Sequence, residues 1–178
     1  MTPVSRYAAS SRWLHWIMSA LLLLVIIPIG IWITAFEPAD ENLKMRLYNI
    51  HESFGVLMFV LVLIRIVNRR MNPPPPLPLD MPGWMRFVAH ANHIGLYVLL
   101  FLMPVIGFLA TNAWGFPLKV FDVLPIPSPV GKDEALAKVL SFLHLCGAIT
   151  IGVLIVAHLA GVVHHTFIRR DGLLRRML

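Results

Sequence analysis

The chain has 178 residues, enough for one ordinary domain, yet 58% of them are apolar and only 13% charged, against roughly 45–50% and 25% in soluble domains. Polar surface this scarce cannot cover a water-soluble globule, so lipid must form part of the solvent. The formal net charge of +6 comes from basic residues scattered at segment ends without interleaved aromatics, which fits cationic membrane flanks and not nucleic acid.

Taken in chain order, four stretches meet the requirement of about 20 mostly apolar residues for a spanning helix. Residues 13–36 carry no Asp, Glu, Lys or Arg and form the first. The second, about 47–67, is weaker because Glu52 and Arg65 lie near its ends. The run Pro73-Pro74-Pro75-Pro76-Leu77-Pro78 cannot be helix and predicts a stiff extended connector. The third span covers about 87–110. A connector of about 25 residues follows, which Pro117, Pro125, Pro127 and Pro129 mark as irregular. The fourth, 139–168, is free of acidic and basic side chains other than histidine for 30 residues, long enough to tilt or protrude. Pro28 with Gly30, and Pro104 with Gly107, predict kinks inside spans one and three, not ends. The expectation is thus an all-α, integral membrane four-helix bundle forming one transmembrane domain over residues 1–178, without an internal repeat.

Arg6 and Arg12 precede the first span as they would a signal peptide, and Ala35 is small enough for a cleavage site. The apolar run nevertheless exceeds the roughly 7–15 residues of a signal core, so the span is expected to be retained. Ten of the 15 Lys and Arg fall at the N-terminus, around the second connector and at the C-terminus, and five on the opposite side. Both termini are therefore expected in the cytoplasm. Trp13, Trp16 and Trp84 then fall at the inner interface, and Trp32 and Trp114 near the outer one.

Eight histidines in so small a membrane chain are the informative feature, because ionisable groups within a bilayer are costly and usually functional. Up-and-down folding puts His15 at the inner end of span one and His51 at the outer end of span two. Span four carries His144 near its outer end and His158 deeper in, about 21 Å apart along a helix and within roughly 40° of the same face. His158 therefore matches His15 in depth, and His144 matches His51. Two depth-matched pairs between helices are what two six-coordinate haems require, with those four side chains as axial ligands to iron. The single Cys146 rules out a Cys-x-x-Cys-His attachment and a four-cysteine cluster, so any haem is held non-covalently. Cys146 itself reads as a small apolar helix residue. A zinc or copper site would need its histidines to converge on one point, which the spacing on span four disfavours for a single site. Arg65, 14 residues after His51, shares its face at the inner depth, where its guanidinium can pair with haem propionates or snorkel to head groups.

The stretches Arg12-Trp13-Leu14-His15-Trp16, His51-Glu52-Ser53-Phe54-Gly55, Leu63-Ile64-Arg65, the proline run, His93 with Leu96-Tyr97, Met103-Pro104 and Arg170-Asp171-Gly172 together resemble the bacterial cytochrome b561 family over nearly the whole chain. The resemblance implies a di-haem b protein of the bacterial inner membrane with ligands on helices one, two and four. In superoxide-oxidising members it further implies that superoxide gives an electron at the outer haem, which crosses both haems to reduce ubiquinone near the inner side. His93 and His165 match family histidines and, with Arg169, are candidates for a quinone site. His90 and His164 read more simply as interfacial residues. The expected function is transmembrane electron transfer, as a superoxide:ubiquinone oxidoreductase. One rival is an electron carrier between a partner dehydrogenase or hydrogenase and quinone. Another, of a different class, is a haem or metal-ion transporter or a non-redox membrane subunit. Against superoxide stand the outer acids Glu37, Asp40, Glu41, Glu52, Asp122, Asp133 and Glu134, which outnumber the cations Lys44, Arg46, Lys119, Lys132 and Lys138.

Overall fold

The computed structural model describes residues 6–36, 40–78 and 80–178; of the outer acids, Glu37 lies outside them. Four helices form the frame: α1 (Ala9–Phe36), α2 (Glu41–Met71), α3 (Gly83–Trp114) and α4 (Glu134–Arg169), each long and apolar enough to cross a bilayer. They contain the apolar stretches read from the sequence and run past them, because the groups that cap them lie farther out. Asp40 accepts hydrogen bonds from the backbone N–H of Asn42 and Leu43 at the start of α2, and Asp133 accepts from that of Leu136 at the start of α4. Gly115, at φ 94°, ends α3 in the left-handed conformation.

Pro28 does not break α1. The turn before it, Leu22–Ile26, widens to π-helical, as does Trp32–Phe36 beyond it, which shifts the backbone ladder around the missing N–H. Pro104 sits inside a continuous α3.

Apolar side chains face outward along the helices. Leu24, Phe142, Val153 and Val156 are each more than 60% exposed, the surface that lipid would cover. The buried cluster consists of Met18 and Leu22 of α1, Met58 and Val62 of α2, Met103 of α3 and Ile151 of α4. Polar bonds add to the packing between helices. Asn68 donates to the Ser11 hydroxyl (2.7 Å), Asn92 to the Leu154 carbonyl (2.9 Å), and Thr111 to the Glu52 carboxylate (2.5 Å).

The connector from Gly115 to Asp133 is more ordered than its prolines suggest. It holds a small antiparallel hairpin, β1 (Lys119–Val120) against β2 (Leu124–Pro125). The hairpin is pinned to α2 on both sides of His51. Asn49 donates to the Lys119 carbonyl (2.7 Å), and the Phe121 N–H donates to the Ser53 hydroxyl (2.7 Å). At the other end of the bundle the proline run 73–78 is non-helical, as expected. The segment after α4 folds back between this connector and the start of α1. Tyr7 N–H donates to the Arg176 carbonyl, the Trp16 indole to the Met177 carbonyl, Arg12 to the Leu178 carbonyl, and Arg176 to the Pro76 carbonyl.

Candidate functional site

The bundle brings the four ligand candidates together as the depth argument requires. The ring centres of His15 (α1) and His158 (α4) lie 6.2 Å apart, and those of His51 (α2) and His144 (α4) also 6.2 Å. A metal held between two imidazoles, with bonds of about 2.0–2.1 Å and ~1.1 Å from nitrogen to ring centre, puts the centres roughly 6.3 Å apart. Both pairs fit that requirement. The buried apolar cluster lies between them along the helix axes: Ile151 is midway from His144 to His158, and Met58 and Val62 lie between His51 and Arg65. Among the described residues, no three or more His, Cys, Asp or Glu side chains converge as a closed ion site needs.

At the outer pair, His51 Nδ1 meets the Ile26 carbonyl at 3.1 Å. A carbonyl can only accept, so Nδ1 carries the proton and Nε2 keeps its lone pair for a metal. Glycines make room for both outer rings. A Cβ on Gly30 would lie 3.1 Å from His51 Cε1, and one on Gly107 would lie 3.0 Å from His144 Cε1. Gly30 beside Pro28 and Gly107 beside Pro104 are therefore ring cradles.

At the inner pair a third ring joins. His93 of α3 has its centre 5.5 Å from that of His158. Arg65 donates to the Ser11 carbonyl (3.0 Å) and lies 5.8 Å from the Tyr97 ring centre, with Arg69 at 5.7 Å from the same ring. The sequence analysis gives Arg69 no site role, and Tyr97 only a place in the Leu96-Tyr97 pair that carries the family resemblance. The spacing of four from Arg65 to Arg69, one helical face, was the available signal.

His165 and Arg169 belong to a different cluster. His165, seven residues or about 10 Å beyond His158 on α4, donates from Nδ1 to Asp171 Oδ2 (2.6 Å). Arg169 bridges Asp171 (3.2 Å) and Asp80 of the proline connector (2.7 Å). Burial opposes ionisation of Asp171. The hydrogen bonds from His165, the Leu173 N–H and Arg169 outweigh it and hold the carboxyl below its ordinary value of 3.8. The structure thus splits the inner-side trio: His93 stands with the inner pair, while His165 and Arg169 stand with the C-terminal segment. His90 is bound to its own helix through the Arg86 carbonyl (2.7 Å), and His164 lies edge-on to His165. Neither joins a histidine pair.

Paired histidines on neighbouring helices of an apolar four-helix bundle, without a covalent attachment motif, are the arrangement expected of a membrane cytochrome of the b type. A model of the prokaryotic cytochrome b561 family matches residues 6–178, and the chain belongs to that family. It is 33% identical over 174 residues to cytochrome b561 homolog 2 of Escherichia coli K12, covering 97% of this chain and 91% of that one. It is 25% identical over 177 residues to cytochrome b561 homolog 1 of the same organism, covering 98% of each. A protein of Yersinia pestis described as a probable superoxide oxidase, CybB, is 28% identical over 173 residues, 97% of this chain and 96% of that one. The chain is accordingly a multi-pass haem b protein of the bacterial inner membrane that takes part in electron transport.

Proposed function

We propose that the protein carries electrons across the membrane through two b haems, one between His51 and His144 and one between His15 and His158. The reading further takes superoxide as the donor on the outer side and ubiquinone as the acceptor on the inner side. The observation that carries it is the pair of 6.2 Å histidine separations, both using α4. Bound haem supplies one-electron storage at each level. The chain's own part is to hold the rings, set their tautomers and keep an apolar layer between the levels. Arg65 and Arg69, close to the inner pair, are the residues to neutralise inner-haem propionates. Both termini face the cytoplasm in this reading, by the bias of Lys and Arg.

Superoxide is an anion, and the arrangement of cations on the outer side supports its approach despite the acidic count. Lys44 and Lys138 are engaged by Glu41 and Glu134, whereas among the described residues no acid pairs with Arg46, Lys119 or Lys132. Lys119 rides on the hairpin that is pinned to α2 on both sides of His51. The resemblance to a probable superoxide oxidase points the same way.

Stopped-flow mixing with a superoxide pulse tests the donor. Fast haem reduction is expected, slowed in Lys119→Gln and Lys132→Gln, with a weaker dependence on ionic strength, since steering is screened within about 8 Å at physiological salt. Reduction no faster than in an unrelated haem b protein, together with ready reduction by a partner dehydrogenase, would make the protein an electron carrier instead.

A further inference from the structure

A cavity of about 390 Å³ opens where the returning C-terminal segment meets the start of α1, lined by Arg6, Arg12, Trp13, Trp16, Met177 and Leu178. The electron-transfer reading makes no use of it. The segment is tied down at this point: the Tyr7 N–H, the Trp16 indole and the Arg12 guanidinium donate to the carbonyls of Arg176, Met177 and Leu178. The cations keep donors to spare. A guanidinium carries five N–H groups; Arg12 commits Nη1 to the Leu178 carbonyl, and Arg6 has no partner among the described residues. No Asp or Glu among those residues pairs with either arginine. The cavity also borders the surface that lipid would cover. Trp13 is 70% exposed, and Ile17, one turn on, and Leu24, two turns further, are exposed as well. An apolar track thus leaves the cavity along the outside of α1. Indoles and basic side chains at the border of an apolar span mark the head-group level of a bilayer.

We propose that this cavity binds the head group of an anionic glycerophospholipid. Arg6 and Arg12 hold the phosphate, Trp13 and Trp16 flank the glycerol region, and an acyl chain follows Ile17 and Leu24. The bias of Lys and Arg that puts both termini in the cytoplasm puts the site in the cytoplasmic leaflet. Three features select this occupant. Two guanidinium groups call for an anion, and charge-assisted bonds to phosphate are the strong ones. A zwitterionic head group brings its own cation beside the phosphate, which the two arginines repel. A free phosphate ion fills neither the space between the indoles nor the track along α1, whereas one lipid molecule meets the charge and the apolar surface together. Trp16 meets His15 edge-on as well, with ring centres 5.1 Å apart, so a bound head group braces the returning segment beside the inner histidine pair. The site stands whichever electron donor and acceptor serve the haems.

The experiment uses the full chain with its haems, stripped of lipid in a neutral detergent. It is titrated with dioleoylphosphatidylglycerol and, separately, with dioleoylphosphatidylcholine, and native mass spectrometry counts the lipid retained. One phosphatidylglycerol per chain is expected to stay bound at concentrations where phosphatidylcholine does not. Arg6→Gln should weaken that binding roughly 5-fold and the double variant Arg6→Gln, Arg12→Gln about 25-fold, at about 1 kcal/mol for each basic residue near the membrane surface. Arg70→Gln removes an exposed cation of the same end of the bundle that does not line the cavity, and should leave binding unchanged. Equal retention of the two lipids overturns the inference. So does an Arg70→Gln variant weakened as much as Arg6→Gln, since that marks diffuse attraction without a site. Excess inorganic phosphate that displaces the lipid makes the cavity a site for free anions, and decyl-ubiquinone that displaces it makes the cavity a quinone site; either result refutes the assignment. Should the double variant lose its haems or its folded tail, Arg6→Gln alone decides, because Arg6 has no contact among the described residues to lose: unchanged binding refutes the site, and the 5-fold loss supports it.

Discussion

Gly107→Ala is the sharpest test of how the outer pair is built. The added methyl would sit 3.0 Å from His144 Cε1 and 3.2 Å from its Nδ1, where carbon contacts are ordinarily about 3.5–4.0 Å. The ring must therefore retreat by several tenths of an ångström from a position that leaves 6.2 Å to His51, a separation with almost no slack for two metal–imidazole bonds. Overpacking of this size costs about 1–3 kcal/mol, which at about 1.4 kcal/mol per decade is roughly a 5- to 150-fold weaker hold on the outer haem. His15 and His158 are not among the neighbours of that methyl. The assay is a spectroelectrochemical titration with the haem-to-protein ratio measured beside it. One redox component should shift or lose occupancy while the other stays as in the wild type. Equal disturbance of both components, or of the one that His15→Ala removes, would refute the reasoning.

Other outcomes follow from the same geometry. His51→Ala and His144→Ala should abolish one redox component, and His15→Ala and His158→Ala the other; a titration in which His15→Ala and His51→Ala remove the same component contradicts the pairing. Cytoplasmic reporters should be active after Leu178 or within residues 73–82, and periplasmic ones near Asp40 or Gly131; the reverse pattern exchanges the two sides. The returning C-terminal segment should loosen in acid. The folded pKa of Asp171 is depressed, so its contribution is complete above the ordinary value of 3.8 and drains away as pH falls below that through the lower folded value. Trp16 fluorescence reports on the segment through the indole bond to Met177, and loss of the signal already near pH 6 would refute this account.

Much of the fold was legible in the chain because the bilayer leaves few choices. A mostly apolar run of sufficient length has to become a helix across it, and four such runs in 178 residues allow little besides a bundle. Depth was legible for the same reason. A constant rise per residue turns a position within a span into a height, and His144 and His158 declare two heights on one helix. Helix ends were less visible, since Asp40 and Asp133 cap from outside the apolar runs, and a hydropathy reading stops where the apolar residues stop. The prolines of the outer connector signalled irregularity correctly but could not announce a hairpin held by Asn49 and Ser53 of another helix.

The local sequence by itself determined the four helices, the two levels of histidine and the lack of a covalent attachment motif, because each depends on composition and spacing along one segment. Which rings meet at 6.2 Å, and which residues support them, only the tertiary structure decided. His93, read with His165 as one cluster, belongs with His158 because α3 and α4 pack closely at that level. Asp171 reaches His165 only because the chain turns back after Arg169, and Asp80 reaches Arg169 from 89 residues away because the connector before α3 meets the end of α4. Such contacts join groups on different segments, and neither hydropathy nor helical period carries information about a distance between them.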